Sequence, residues 1–166
     1  MTEYAKILFY PDPLFAQPAT PRPVDAALRA IGASLLAVAK DMRAYGLAAT
    51  HIGHAAPVVV VSFGPPETRD YRLLYNPEIL TLSDDAETGP EGSVSLPNIE
   101  VDIVRALSIR LAYDDAEGLR QEVDLTGFPA RVAQHEVDQM NGIFFLDKLS
   151  RLKREAALRR FRKLSR

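Results

Sequence analysis

The sequence predicts an α+β domain, with antiparallel sheets around a central helix that carries His135 and Glu136, an N-terminal helix, and a basic C-terminal helix. Three observations carry this. Leu107, Ile109, Leu111 and Tyr113 alternate with Ser108, Arg110 and Ala112, the period of a half-buried strand. Asp114-Asp115-Ala116-Glu117-Gly118 then makes a turn, and residues 119–125 return as the second arm of a hairpin. The strands come before an isolated helix instead of alternating with helices, which argues against a parallel sheet.

Each element has its own signal. Residues 11–23 hold five prolines and read as an irregular, extended entry. Val24, Leu28, Ile31, Leu35, Val38 and Met42 then recur at steps of four and three, a helix whose stripe packs on a core. Pro23 and Asp25 suit its first turn. Residues 46–53 read as a small-residue loop and residues 57–63 as a buried strand. A short strand over 71–75 is expected to break at Asn76-Pro77, and the acidic segment 83–90 reads as a loop. In the helix around His135, Ala133, Val137 and Met140 mark the core face, while His135 and Gln139 share another face with Glu136 close by. Pro129 fits its first turn and Gly142 its C-terminal stop. A last helix covers roughly residues 150–163.

Composition bounds the function classes. The chain has 166 residues, 47% hydrophobic and 25% charged, which suits one globular domain with a sizeable core. Residues 1–147 form the expected domain, and 148–166 a basic helix packed on it or extending from it. There is no cysteine, so disulfides, thiolate metal ligands and thiol nucleophiles are excluded. Met1-Thr2-Glu3-Tyr4 begins without a basic segment leading into an apolar run, so no signal peptide is expected and the cytoplasm is the default location. The β-branched run 58–61 is far too short to span a bilayer. The net charge of -2 is unevenly placed: residues 148–166 carry nine Lys and Arg against Glu155 alone, or +8. Such an end suits an anionic partner, or else a solvated helix face whose cations match a helix C-terminus.

The densest chemistry lies in Gln134-His135-Glu136-Val137-Asp138-Gln139. His-Glu-x-x-His places two imidazoles one helical turn apart with a carboxylate beside the metal. Here the first His and the Glu are present, and Gln139 stands at the second His. Two further segments accompany it, Gly46-Leu47-Ala48-Ala49-Thr50-His51 and Glu91-Gly92-Ser93-Val94-Ser95. In order and spacing the three resemble the motifs G-x-G-L-A-A-x-Q, E-G-C-L-S and Q-H-E-x-D-H of the peptide deformylases. These are metal-dependent hydrolases that remove the formyl group from N-terminal formylmethionine. The similarity covers nearly the whole chain, including Pro11-Asp12-Pro13 and Tyr75-Asn76-Pro77-Glu78.

The resemblance implies roles. The metal, usually iron, would be held at the positions of Ser93, His135 and Gln139, of which only His135 keeps the family's residue. Glu136 would be the general base, and His51 and the backbone N–H of Val94 would stabilise the oxyanion. Gly46, Glu91 and Gly92 would border the bound peptide, with Glu91 structural or close to substrate. Ala44 replaces the first Gly of the first motif. A Ser hydroxyl is neutral and a poor ligand beside a thiolate, and a Gln amide suits hard cations. Losing a thiolate and an imidazole removes most of an affinity on the order of 10 kcal/mol. Two expectations stay open for a divalent metal such as iron or zinc: loss of the site, or a rebuilt set of His51, His135 and Glu136. His54 reads as a loop histidine and Asp138 as a structural partner of Arg or backbone. Ser93 paired with His135 as a nucleophile lacks both Gly-x-Ser-x-Gly and a visible orienting acid. Expected partners are formylmethionyl or other extended peptides in the cleft, and the ribosome through the basic end.

Overall fold

The computed structural model describes residues 5–166; the first four, read above for a signal peptide, lie outside them. Three helices and seven strands follow in the order α1 (Ala26–Met42), β1 (Gly46–Ala48), β2 (Val58–Ser62), β3 (Tyr71–Leu82), β4 (Ala86–Ser93), β5 (Leu96–Ala106), β6 (Ser108–Asp114), β7 (Arg120–Thr126), α2 (Phe128–Met140) and α3 (Arg151–Leu164). One sheet runs β1-β2-β3-β6-β7 and the other pairs β4 with β5, all antiparallel. This is the α+β architecture read from the sequence. Among the described residues no helix is long and apolar enough to cross a membrane.

The core has three parts. Val58 and Val60 of β2 face α1, packing with Leu28, Leu35 and Val38. Val59 and Val61 face α2, packing with Ala133, Val137 and Met140. A strand buried on both faces reads as a continuous apolar run, which is what residues 58–61 are. The third cluster joins Leu96 and Ile103 of β5 to Phe144, Phe145 and Leu146, and Ala157 of α3 docks on it. Helix α2 is therefore wedged between the large sheet and the β4–β5 hairpin.

Several expectations are corrected. Asp25 is the N-cap of α1, accepting a hydrogen bond from the Leu28 N–H, and not a first-turn residue. The segment 46–53 is a short strand and a 3₁₀ turn instead of a loop. Asn76-Pro77 does not end β3. The proline falls at a bulge where no ladder N–H is needed, with Asn76 at φ 47°. The Asn76 side chain accepts from the Arg22 N–H and donates to the Arg22 carbonyl and Asp114, fastening the proline-rich entry to the sheet. The acidic segment 83–90 contributes most of β4, despite Gly89 and Pro90. Arg131 lies across Gly89, with guanidinium atoms 3.2 Å from where a β-carbon would sit, and donates to the Glu87 and Ile103 carbonyls. Strand β5 has no sequence-based counterpart, because Pro97 and Asn98 interrupt its alternation.

Gly142 follows α2 at φ 79°, and a β-carbon there would lie 2.8 Å from the Ala16 carbonyl oxygen. Gly53 has a similar φ of 92° but no heavy atom within 4 Å of that position. Gly53→Ala is expected to cost about 1–2 kcal/mol, from left-handed strain alone. Gly142→Ala is expected to cost roughly 1–3 kcal/mol more, from the added overlap. Equal urea midpoints for the two variants would contradict the close packing at Gly142.

Candidate functional site

A cleft of about 370 Å³ opens between β1, the β4–β5 hairpin and α2. His51, Glu91, Ser93, Val94, His135 and Glu136 all border it, as do Gly46 and Gly92. The two glycines also serve internal packing. A β-carbon on Gly46 would meet Val132 at 2.6 Å and Glu136 at 2.8 Å, and one on Gly92 would meet the Ile99 carbonyl oxygen at 3.1 Å.

Glu91 organises one wall. Its two oxygens accept from Nε and Nη2 of Arg105 at 2.9 Å each, a bidentate pair, and Arg131 Nη1 donates to it at 2.7 Å. His135 Nδ1 lies 2.8 Å from Glu91 Oε1. Arg105 also binds Asp138, which pairs with Lys148 at 3.3 Å, so Asp138 is structural as expected. Burial acts to raise the Glu91 pKa, but the hydrogen bonds and charges of His135 and Arg105 outweigh it and bring it down to about 2. His135 is raised: burial opposes its charge, and the Glu91 bond with the charges of Glu136 and Glu91 prevails. Arg105 and Arg131 were not foreseen. An arginine, whether in β5 or in α2, carries no signal of burial until its partners are known.

The floor of the cleft is formed by His51 and Glu136. The Ala48 N–H donates to His51 Nδ1 at 3.0 Å. The Ala48 carbonyl also lies 3.2 Å from Nδ1, so this nitrogen accepts from the Ala48 N–H in one tautomer and donates to the Ala48 carbonyl in the other. His51 Nε2 is buried without a hydrogen-bond partner, and so is Oε2 of Glu136. Burial, aided by the charge of His135, brings the His51 pKa down to about 3, so the ring is neutral. Burial pushes Glu136 up to about 7, with His135 opposing and Glu91 reinforcing. The Glu136 carboxyl stands 4.0 Å from His51 Nδ1 and 3.9 Å from His135 Nε2, beyond hydrogen-bond reach of both.

Gln139 is not brought to this site. It is 1% exposed, lies outside the cleft lining, and its Nε2 donates to the Phe15 carbonyl at 3.2 Å. Ser93 Oγ accepts from the Ser95 N–H at 3.1 Å. Gln134 spans from α2 to β5, exchanging hydrogen bonds with both backbone groups of Ala106. Among the described residues no three His, Cys, Asp or Glu side chains are gathered so as to hold a metal ion.

A helix bearing adjacent His and Glu, crossing an antiparallel α+β domain beside a Glu-Gly-Ser strand end, matches one family. The model of that family, polypeptide deformylase, covers residues 4–155, and the chain belongs to it. A peptide deformylase of Mesorhizobium japonicum is 35% identical over 161 residues, 96% of this chain and 92% of that protein. A protein of Bradyrhizobium diazoefficiens described as peptide deformylase-like is 37% identical over 158 residues, 95% of this chain and 92% of its own. The crystal structure of a peptide deformylase from Legionella pneumophila superposes with a TM-score of 0.88 at 32% identity, covering 98% of this chain and 96% of that one.

The lowered Glu91 pKa sets a pH window. Its ionised form contributes stability above the ordinary value of 4.5, and that contribution fades as pH falls toward about 2. The size is on the order of 3 kcal/mol. His135 works in the opposite sense, contributing below its ordinary 6.5 and losing that as pH rises through its raised value. Glu91→Gln is expected to lower stability at neutral pH by about 3–5 kcal/mol, through the uncompensated Arg105. It should also flatten the decline below pH 4.5. Urea unfolding of both proteins across pH checks this; an unchanged acid limb would remove Glu91 from the account.

Proposed function

We propose that this chain is a cytoplasmic member of the deformylase family that has lost the metal triad. Its deformylation of N-terminal formylmethionyl peptides is absent or strongly reduced, and its cleft still holds an extended peptide. The observation that carries this reading is the orientation of Gln139, whose amide is used as an interior cross-link to Phe15. Deformylases are metal-dependent, and the residues present here do not fit a tightly held transition metal. His135 and Ser93 both border the cleft, one imidazole and one neutral hydroxyl, with no thiolate and no second imidazole at the family's positions. Without a metal to acidify water, Glu136 as a general base supplies roughly 10²–10⁴-fold at most. The peptide-binding part is supported by β4, whose second edge pairs with no other described strand and borders the cleft, open to an added strand.

A second reading keeps deformylation, with ligation rebuilt through His51. One observation favours it: His51 Nε2 is buried, unpartnered and beside the cleft. It would require the His51 tautomer whose Nδ1 donates to the Ala48 carbonyl, and Glu136 to serve as ligand instead of base.

Metal analysis of protein purified without air and without chelator separates the readings. The expected result is metal content near zero and no measurable hydrolysis of formylmethionyl peptide. Near one iron or zinc per chain, lost on His135→Ala, would establish the second reading instead. Ser93→Cys with Gln139→His is expected to restore binding of about one metal per chain, consistent with three-ligand sites.

Helix α3 supports an association with the ribosome. Ala157, Leu158 and Phe161 face the body, leaving Arg159, Arg160, Arg162 and Lys163 exposed. Co-sedimentation with ribosomes is expected to weaken steeply with salt. Neutralising Arg159, Arg162 and Lys163 to Gln should reduce the log–log salt slope by about 0.7–0.9 for each phosphate the helix no longer neutralises. Identical pelleting of the neutralised variant would exclude the helix.

A further inference from the structure

We propose that Glu91, His135 and Ser93 form a metal-independent acyl-transfer site, with Ser93 Oγ as nucleophile, His135 as base and Glu91 as positioning carboxylate, acting on esters of apolar carboxylic acids. The inference rests on the reading above, since it needs His135 Nε2 free of metal.

The orienting acid that the sequence could not reveal is Glu91. Its Oε1 lies 2.8 Å from His135 Nδ1, and the carboxylate is immobilised by Arg105 and Arg131. This bond places the ring's first proton on Nδ1 and leaves Nε2, which makes no hydrogen bond, as the acceptor of the neutral ring. Ser93 follows Glu91 by two residues at the end of β4 and borders the same cleft as His135. Its Oγ accepts from the Ser95 N–H, which leaves the hydroxyl proton free to be donated. No hydrogen bond joins Ser93 to Nε2 in the free protein; such bonds commonly close only around substrate.

Donors for a developing oxyanion stand on the same cleft. His51 Nε2 is buried beside the cleft without a hydrogen-bond partner, and it is a donor in the tautomer whose Nδ1 accepts from the Ala48 N–H. The N–H of Val94 follows the nucleophile directly, as in hydrolases that use the residue after the serine. Leu47, Tyr45, Phe128 and Val132 supply an apolar wall, which selects an apolar acyl group.

In the first half-reaction Ser93 Oγ bonds to the acyl carbon as its proton passes to His135 Nε2. The carbonyl electron pair moves to the oxygen, facing His51 and Val94. Collapse breaks the ester C–O bond, and the alcohol leaves with the proton from Nε2. Water then attacks the Ser93 ester by the same route, releasing the acid and restoring the hydroxyl.

The test uses full-length protein verified metal-free after chelation, with a fluorophosphonate probe and p-nitrophenyl butyrate. One adduct per chain on Ser93 is expected by intact mass and peptide mapping, together with chelator-resistant release of p-nitrophenol. Ser93→Ala should abolish the adduct, and His135→Gln should slow labelling by about 10²–10³-fold. Glu91→Asp should recover part of the rate lost in Glu91→Gln, both assayed at a temperature where circular dichroism shows each variant folded. Ser93→Cys gives an independent reading: its alkylation by iodoacetamide should be about 10-fold faster with His135 than with Gln there. No adduct, or an adduct elsewhere, on folded metal-free protein would overturn the triad. Metal found before chelation would count instead against the loss of the metal site.

Discussion

The ion pair of Glu91 with Arg105 is buried on both sides, the two side chains being 5% and 4% exposed. A buried charge left without its partner costs about 3–5 kcal/mol, so each member fixes the other's strand. Much else hangs from this pair. The β4–β5 hairpin is a two-stranded sheet, which is marginal on its own. Arg105 reaches Asp138 and Glu91 reaches His135, so both ions of the pair also grip α2. Arg131 comes from α2 to the same carboxylate and continues to the Glu87 carbonyl of β4. The hairpin is thereby held against the helix by charge-assisted bonds on one side and by the Leu96–Ile103–Phe145 cluster on the other.

That same network determines the chemistry open to the cleft. A carboxylate held by two arginines stays ionised, and its bond to Nδ1 leaves Nε2 as the acceptor of the neutral ring. On the opposite side both backbone groups of Ala48 lie on His51 Nδ1, which leaves Nε2 without a partner beside the cleft. Two histidines thus border one cleft, each with Nδ1 held by the protein and Nε2 making no hydrogen bond. Glu136 stands between them with its carboxyl pushed up to about 7 by burial.

Much of this was legible in the sequence, and the parts that were not share a cause. Helix α1, β2, the β6–β7 hairpin and α2 follow from stripes and alternation, because a one-sided or two-sided apolar face leaves a period. Strand β4 leaves none: Gly89 and Pro90 are poor strand residues, kept in the ladder by pairing with β5 and by the Arg131 guanidinium over Gly89. Strand β3 crosses Pro77 because a bulge absorbs the missing N–H. The three site segments were legible as motifs, and His51, Ser93, His135 and Glu136 do meet at one cleft. The turning of Gln139 onto Phe15 was not legible, since the acceptor is a backbone carbonyl 124 residues away in the chain. Neither was the Glu91–His135 bond, which depends on a strand that sequence pattern alone does not give.

The polar residues of the three motifs divide into two kinds by how their polar atoms are satisfied. Gln139 and Ser93 have taken backbone partners of their own, the Phe15 carbonyl and the Ser95 N–H. They are locally consistent with a folded protein. His51 Nε2 and Glu136 Oε2 are different: both are buried and neither has a partner. An unsatisfied buried polar group costs about 1–3 kcal/mol, and native proteins carry few of them. A position that had merely drifted would relax toward an apolar residue or a bonded rotamer. Both residues border the cleft, where a bound group can reach them. His51 keeps a polar atom beside the cleft, whereas the Gln139 amide is used in closing the fold.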